Sequence, residues 1–256
     1  MMRENHFKKA ILNGEQQIGI WHMTRDTQIT EMLGGCGFDW VLIDCEHTPN
    51  SEADVLGMLQ ALNGSPSMPA VRPTHLNVAE IKRLLDIGAQ TLIVPYVQTV
   101  EEAKLAAAAV SYPPEGVRGV SGGSRSSMYG TVPGYFQKAR DEICLIIQIE
   151  TVSAMDQLED IAAVPGIDGI FIGPADLAAS MGHPGNTGHP DVVEAILSAM
   201  KRIRAAGKPA GFLSADQTML DKVVEAGCTF TAVDIDFGLL RRAALDRLAT
   251  CRKFKG

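Results

Sequence analysis

The chain has 256 residues, 46% of them apolar, which is enough to bury one large core without a second domain. Its 23 basic and 30 acidic side chains leave a net charge of −7, and basic residues gather in nothing longer than a doublet or triplet. Nucleic acid and anionic membranes are therefore excluded as favoured partners. The five cysteines lack CxxC spacing, no 18-residue apolar segment occurs, and the N-terminus has no signal-like apolar stretch. These features predict a soluble, unprocessed, cytoplasmic protein with reduced thiols.

Short runs rich in β-formers recur along the chain: GIW at 19–21, WVLID at 40–44, AVR at 70–72, TLIVP at 91–95, LIIQIE at 145–150, GIFIG at 169–173, AGFL at 210–213 and FTAVDI at 230–235. Most are almost unbroken in Val, Ile and Leu, the pattern of parallel strands covered on both faces. Segments with helical spacing lie between them. One covers 51–63, with Ser51 as its N-cap, and another 77–89, with Asn77 as N-cap and Gly88 at the stop. Others cover 100–110, 153–164, 191–207 and 215–227, and several end in Gly just before the next strand. Eight alternations predict an α/β fold, a (βα)8 TIM barrel spanning 1–256 as a single domain, with a doubly wound open sheet as the alternative.

Two connections stand out. The stretch 111–142 is rich in Gly, Ser, Pro and Tyr and too long for a simple return, so it is expected to be functional. Its Arg118, Gly122, Gly123, Ser124 and Arg125 could hold the far end of a substrate or a phosphate, or pack at a subunit interface. The second connection, 181–190, places His183 and His189 each before a proline. They lack i, i+4 spacing and a carboxylate companion, which argues against a metal pair.

A barrel places its reacting groups where strands end. Strand two closes on Asp44, Cys45, Glu46 and His47, strand three on Arg72, strand five on Gln148 and Glu150, and strand six on Gly173, Pro174 and Asp176. Glu150 and Asp176 could each cap a helix or pair with an arginine. Taken together, one β/α unit apart and with Gln148 on the same side as Glu150, they predict a seat for Mg2+ or Mn2+. No thiolate or paired-histidine set competes as a structural zinc site. Arg72 could bridge to a rim carboxylate, but its planar fork also matches the oxygens of a small oxo acid. His47 could be a structural histidine; flanked by acids, it could instead be held as one tautomer and act as general base. Trp21 and Leu213, at the ends of strands one and seven, could wall the substrate pocket. No lysine stands at a strand end to form a Schiff base, so the electron sink is expected to be a metal.

The motifs WVLIDCEHTPN, AVRP, IKRLLDIGAQTLIVPYVQTVEEA, YPPEGVRGVS, IIQIET, GIDGIFIGPADLAASMG and GKPAGFL, in this order, resemble the HpcH/HpaI aldolase family over roughly 10–245. The resemblance implies a class II pyruvate aldolase, an aldehyde-lyase. It would cleave a 4-hydroxy-2-oxo acid such as 4-hydroxy-2-oxoheptanedioate to pyruvate and an aldehyde, as in the catabolism of aromatic compounds. The branch acting on 2-dehydro-3-deoxyglucarate is the alternative, and a noncatalytic metal- and oxo-acid-binding lyase subunit is an alternative of another class. It further implies Glu150 and Asp176 as ligands of Mg2+, Mn2+ or Co2+, Arg72 on the oxo acid, and His47 as base with Asp44 in its motif and Asp86 as orienting partner. Gln148, Gly173, Pro174, Ala175 and Asp176 would complete the pyruvate pocket. A hexamer built as a trimer of dimers, with exchanged C-terminal helices, is the implied assembly. Cys45, Asp234 and the WHM after strand one depart from the family pattern and leave the aldehyde open.

Overall fold

The structure, a computed structural model, describes residues 4–255. Eight parallel strands close into a barrel in sequence order: β1 (Gln17–His22), β2 (Trp40–Asp44), β3 (Met68–Arg72), β4 (Thr91–Val94), β5 (Cys144–Ile149), β6 (Gly169–Ile172), β7 (Ala210–Leu213) and β8 (Cys228–Ile235). The open-sheet alternative is thereby set aside. Before the barrel comes α1 (His6–Leu12); outside it run α2 (Thr27–Gly35), α3 (Glu52–Ala61), α4 (Val78–Asp86), α5 (Val100–Ala109) and, after a short α6 (Tyr135–Lys138), α7 (Val152–Asp156) and α8 (Leu158–Ala162). They are followed by α9 (Pro174–Ser180), α10 (Pro190–Ala205), α11 (Gln217–Glu225) and α12 (Asp236–Cys251). The expected caps are present: Ser51 and Asp54 form a capping box, and Asn77 accepts from Ala79 and Glu80 backbone N–H groups.

Two apolar layers follow from strand periodicity. Odd-phase residues of β2, such as Val41 and Ile43, pack outward against the helices, whereas Trp40 and Leu42 point into the barrel with Met68, Ala70, Ile146, Phe171 and Phe230. Phe7 and Ile11 of α1 close the N-terminal end of the barrel, with the Phe7 ring 5.5 Å from Trp40 and 5.7 Å from Phe230. Glycine makes room for these large rings, since a Cβ at Gly19 would collide with Trp40 and one at Gly211 with Phe230.

The 111–142 segment is not structureless. It contains 3-10 turns at Arg125–Ser127 and Ala139–Glu142 around α6, and it packs beside the C-terminal end of α4. There Arg125 Nη1 donates to the Ile87 carbonyl (2.7 Å), and Arg118, fully buried, donates to Asp86 (3.0 Å) while its guanidinium lies 4.4 Å from the centre of the Tyr112 ring. Because α4 runs antiparallel to the strands, its end lies at the opposite face of the barrel from the strand mouths. Within one chain Arg118 and Arg125 therefore lie away from the strand mouths, at the face where the interface reading would place them.

Candidate active site

The inward phase of each strand selects the site. In β2 it runs Trp40, Leu42, Asp44; in β3 Met68, Ala70, Arg72; in β5 Cys144, Ile146, Gln148 and on to Glu150; in β6 Gly169, Phe171 and on to Gly173. Since all strands are parallel, these series reach the same mouth. Asp44 and Arg72 are also direct neighbours in the β2–β3 register. Asp44, Arg72, Gln148 and Glu150 are buried there, and Asp176, in the first turn of α9, is half-buried.

Arg72 is clamped. Its Nε and Nη2 each donate to Asp44 at 2.7 Å, its Nη1 lies 2.8 Å from Glu46, and its plane sits 4.7 Å from the centre of the Trp21 ring. Burial alone would lower its pKa; the hydrogen bonds to Asp44 and the charges of Asp44, Glu46 and Glu150 outweigh it, and the net shift is upward. Two of the five guanidinium N–H groups are hydrogen-bonded, both to Asp44, and Nη1 faces Glu46 only as an ion pair, which leaves N–H groups on Nη1 and Nη2 for a ligand. Trp21 is buried beneath this arginine and 5.5 Å from Phe171. It supports Arg72 from below, a role not anticipated in the expectation that it walls the substrate pocket.

Glu150 accepts from the Tyr96 backbone N–H at 2.8 Å and from Gln148 Nε2 at 2.6 Å. Burial, above all, pushes its carboxyl up to about 7; the charges of Glu46 and Asp176 act the same way, against the two hydrogen bonds. Glu46 is raised as well, again by burial first, with Arg72 opposing. Four carboxylates thus face one guanidinium, a charge imbalance that a divalent cation would relieve. The donor set is oxygen-only, as Mg2+ and Mn2+ prefer. With its amide nitrogen committed to Glu150, Gln148 leaves its Oε1 buried and without a hydrogen-bond partner, an acceptor aimed at something the chain does not supply. Gly173 is required: a Cβ there would strike the Glu150 carboxylate. The residues therefore fit a divalent ion held by Glu150 and Asp176.

Other expected residues lie further out. Pro174 and Leu213 line a cavity of about 180 Å3 beside the mouth, together with Gly188, Phe212 and Lys222, and Ala175 is exposed. His47 is exposed, its Nε2 3.8 Å from Glu46, beyond hydrogen-bond reach, so no carboxylate within the chain fixes its tautomer among the described residues. Asp86 does not orient it. That carboxylate ends α4 at the far face of its own chain and accepts from Arg118. Two contributors were not anticipated. Tyr96 adopts φ +55 just past β4, and this turn aims its N–H at Glu150; nothing in the sequence around it signals such a turn. His22, fully buried, links Asp236 and Thr30 at 2.8 Å each and so ties β1 to the start of α12. The 181–190 histidines do have a carboxylate companion, Asp191, with Nδ1 of His189 3.8 Å from it. That corrects the sequence reading of this pair.

Comparison with known proteins shows the family and the fold. The HpcH/HpaI aldolase/citrate lyase family profile matches residues 17–243. A hydroxypyruvate/pyruvate aldolase of Sagittula stellata is 49% identical over 246 residues, covering 96% of this chain and 97% of that protein. A 4-hydroxy-2-oxo-heptane-1,7-dioate aldolase of Shigella sonnei is 49% identical over 242 residues, 94% of this chain and 92% of that protein. The crystal structure of a family member from Burkholderia cenocepacia superposes with a TM-score of 0.94 at 36% identity, covering 97% of this chain and 99% of that one.

Proposed function

We propose, from the premise that this chain belongs to the HpcH/HpaI aldolase/citrate lyase family and is a class II pyruvate aldolase, how its own residues carry the reaction and on what substrate. The reaction is reversible cleavage of a 4-hydroxy-2-oxo acid to pyruvate and an aldehyde. The carrying observation is the convergence of Asp44, Arg72, Gln148 and Glu150, all inward in phase, beside Asp176 at one barrel mouth. Glu150 and Asp176 hold the divalent ion on which the family depends, with Mg2+ or Mn2+ matching the oxygen donors. When bound, that ion supplies Lewis-acid stabilisation of negative charge developing on the oxo acid.

The protein's part is positioning and proton transfer. The free N–H groups of Arg72, held in place by Asp44 and Glu46, meet the oxo-acid oxygen, and their strength grows as it becomes an enolate oxygen. The open Oε1 of Gln148 and the backbone around Gly173 border the pyruvate end. His47, at the rim, accepts the proton of the 4-hydroxyl as the C3–C4 bond breaks and its electron pair passes through C3 to the oxo oxygen as an enolate; return of that proton to C3 gives pyruvate. The aldehyde leaves toward the cavity lined by Pro174, Leu213, Asp216 and Lys222, where the Lys222 ammonium, beside the Asp216 carboxylate, is the group an acidic tail would meet. A semialdehyde such as that from 4-hydroxy-2-oxoheptanedioate fits this lining, and the name of the Shigella relative supports the same choice. Steady-state retro-aldol assays on 4-hydroxy-2-oxoheptanedioate and 2-dehydro-3-deoxyglucarate, in chelated and Mg2+-supplemented buffer, test the reading. Metal-dependent turnover with the larger kcat/KM on the heptanedioate is expected; preference for the glucarate would transfer the chain to the other branch.

The assembly is proposed on the same footing. Along α12 and just beyond it, Phe237, Leu240, Leu245, Leu248 and Phe254 are exposed, an apolar face that packing against another copy would cover. A hexamer is expected by light scattering.

A further inference from the structure

The loop between α9 and α10 brings His183, His189 and Asp191 together so that one ligand atom from each lies within 4.8 Å of the others. The two imidazole rings stack with centroids 3.6 Å apart and planes 14° from parallel. Their backbone is unusually constrained for a surface loop. His183 N–H donates to the Ala178 carbonyl (2.7 Å), Asn186 N–H to the His183 carbonyl (3.0 Å) and His189 N–H to the Asn186 carbonyl (3.2 Å). Each histidine also precedes a proline, which narrows its backbone freedom further. Ordering two imidazoles side by side costs entropy that a chelated ion recovers, and here the backbone bonds supply part of that order beforehand.

We propose that His183, His189 and Asp191 form a second metal site, selective for a borderline divalent ion such as Zn2+, Co2+ or Ni2+, with water completing the shell. Two imidazoles and one carboxylate are the donor set such ions prefer, whereas the oxygen-only mouth suits Mg2+ or Mn2+. Ligand atoms around a tetrahedral ion with bonds of about 2.0–2.1 Å stand roughly 3.3 Å apart. Closing from the present separations requires the rings to tilt out of their stack and Asp191 to turn inward; all three side chains are at least partly exposed, and because His189 Nδ1 accepts from the Asp191 N–H at 3.3 Å as the cap of α10, its Nε2 is the nitrogen left for an ion. An ion here would fix the segment bearing Thr187 and Gly188, one wall of the cavity that also holds Leu213. The site does not depend on the aldolase assignment.

Calorimetric titration of the full chain with Zn2+, in excess Mg2+, tests it. The expected result is a Zn2+ equivalent that survives Glu150→Gln but weakens at least tenfold in His183→Ala and in His189→Ala, with circular dichroism unchanged. Optical titration with Co2+ should show the same loss of one tetrahedral equivalent in the histidine variants. A wild-type protein with no equivalent that survives Glu150→Gln, or one whose binding is unmoved by both histidine substitutions, would overturn the proposal.

Discussion

Glu150 carries the largest electrostatic burden in the site. A carboxyl held at about 7 by burial and by its neighbours Glu46 and Asp176 must lose a proton before it can ligate a cation. Divalent-ion affinity is therefore expected to fall about tenfold per pH unit below roughly 7. Binding near neutral pH should release up to one proton, which calorimetry in buffers of different ionisation enthalpy would measure. The same group sets a stability trend. In the metal-free protein the folded state holds this proton more tightly than the unfolded chain does, so its contribution to stability is full below the unfolded value of about 4.3 and is lost as pH rises through about 7. Saturating metal should remove that trend in thermal melts. Arg72→Lys keeps the charge but not the fork that Asp44 and Glu46 clamp. A drop of about 10²–10³ in kcat is expected in single-turnover kinetics, with melting little changed.

At the scale of elements, the phase of each strand decides what the mouth contains. The sequence announces that phase clearly in β2, β3 and β5, where apolar runs stop on Asp44, Arg72 and Glu150. It does not announce who shares a hydrogen bond across the barrel. Tyr96 reaches Glu150 through an unusual turn, and Gly173 matters only because a carboxylate lies against its Cα. Gly173→Ala, far from any disruption of β6, is expected to abolish divalent-ion binding by displacing Glu150 while the barrel still melts cooperatively. The start of α12 is a comparable case. Asp236 accepts from His22, the Met23 and Thr24 backbone and the Phe237 N–H. Burial opposes its ionisation, but these bonds outweigh burial and hold it at about 2. Its contribution, roughly 2 kcal/mol, is present above the unfolded value near 3.9 and is lost as pH falls through about 2. Asp236→Asn should lower Tm and flatten the acid limb of the stability profile; an unchanged limb would show that the network carries no such weight.

For the molecule as a whole, the repeat of strand and helix made the barrel legible because most strands are apolar on both faces. The same repeat does not say what 111–142 does. Local composition marks a long Gly- and Ser-rich segment as functional, and the fold sets it at the face where α4 ends, where Arg118 Nη2 donates to Asp86 while its buried Nε and Nη1 have no hydrogen-bond partner among the described residues. A burial pattern distinguishes the two faces, and neither composition nor spacing encodes it. The core at that end is equally hidden in sequence. Trp40 looks like one more strand residue, yet it joins Phe7 and Phe230 to close the barrel, and Trp40→Ala is expected to cost about 3–5 kcal/mol in denaturant unfolding. All of this architecture serves one claim, that a cation seated on Glu150 and Asp176 together with Arg72 stabilises a pyruvate enolate. The most direct measurement is NMR exchange of pyruvate methyl protons for deuterium. Rapid exchange that requires divalent metal, and is lost in Glu150→Gln and Arg72→Ala, is expected; exchange that persists in chelated buffer or in either variant would contradict the account.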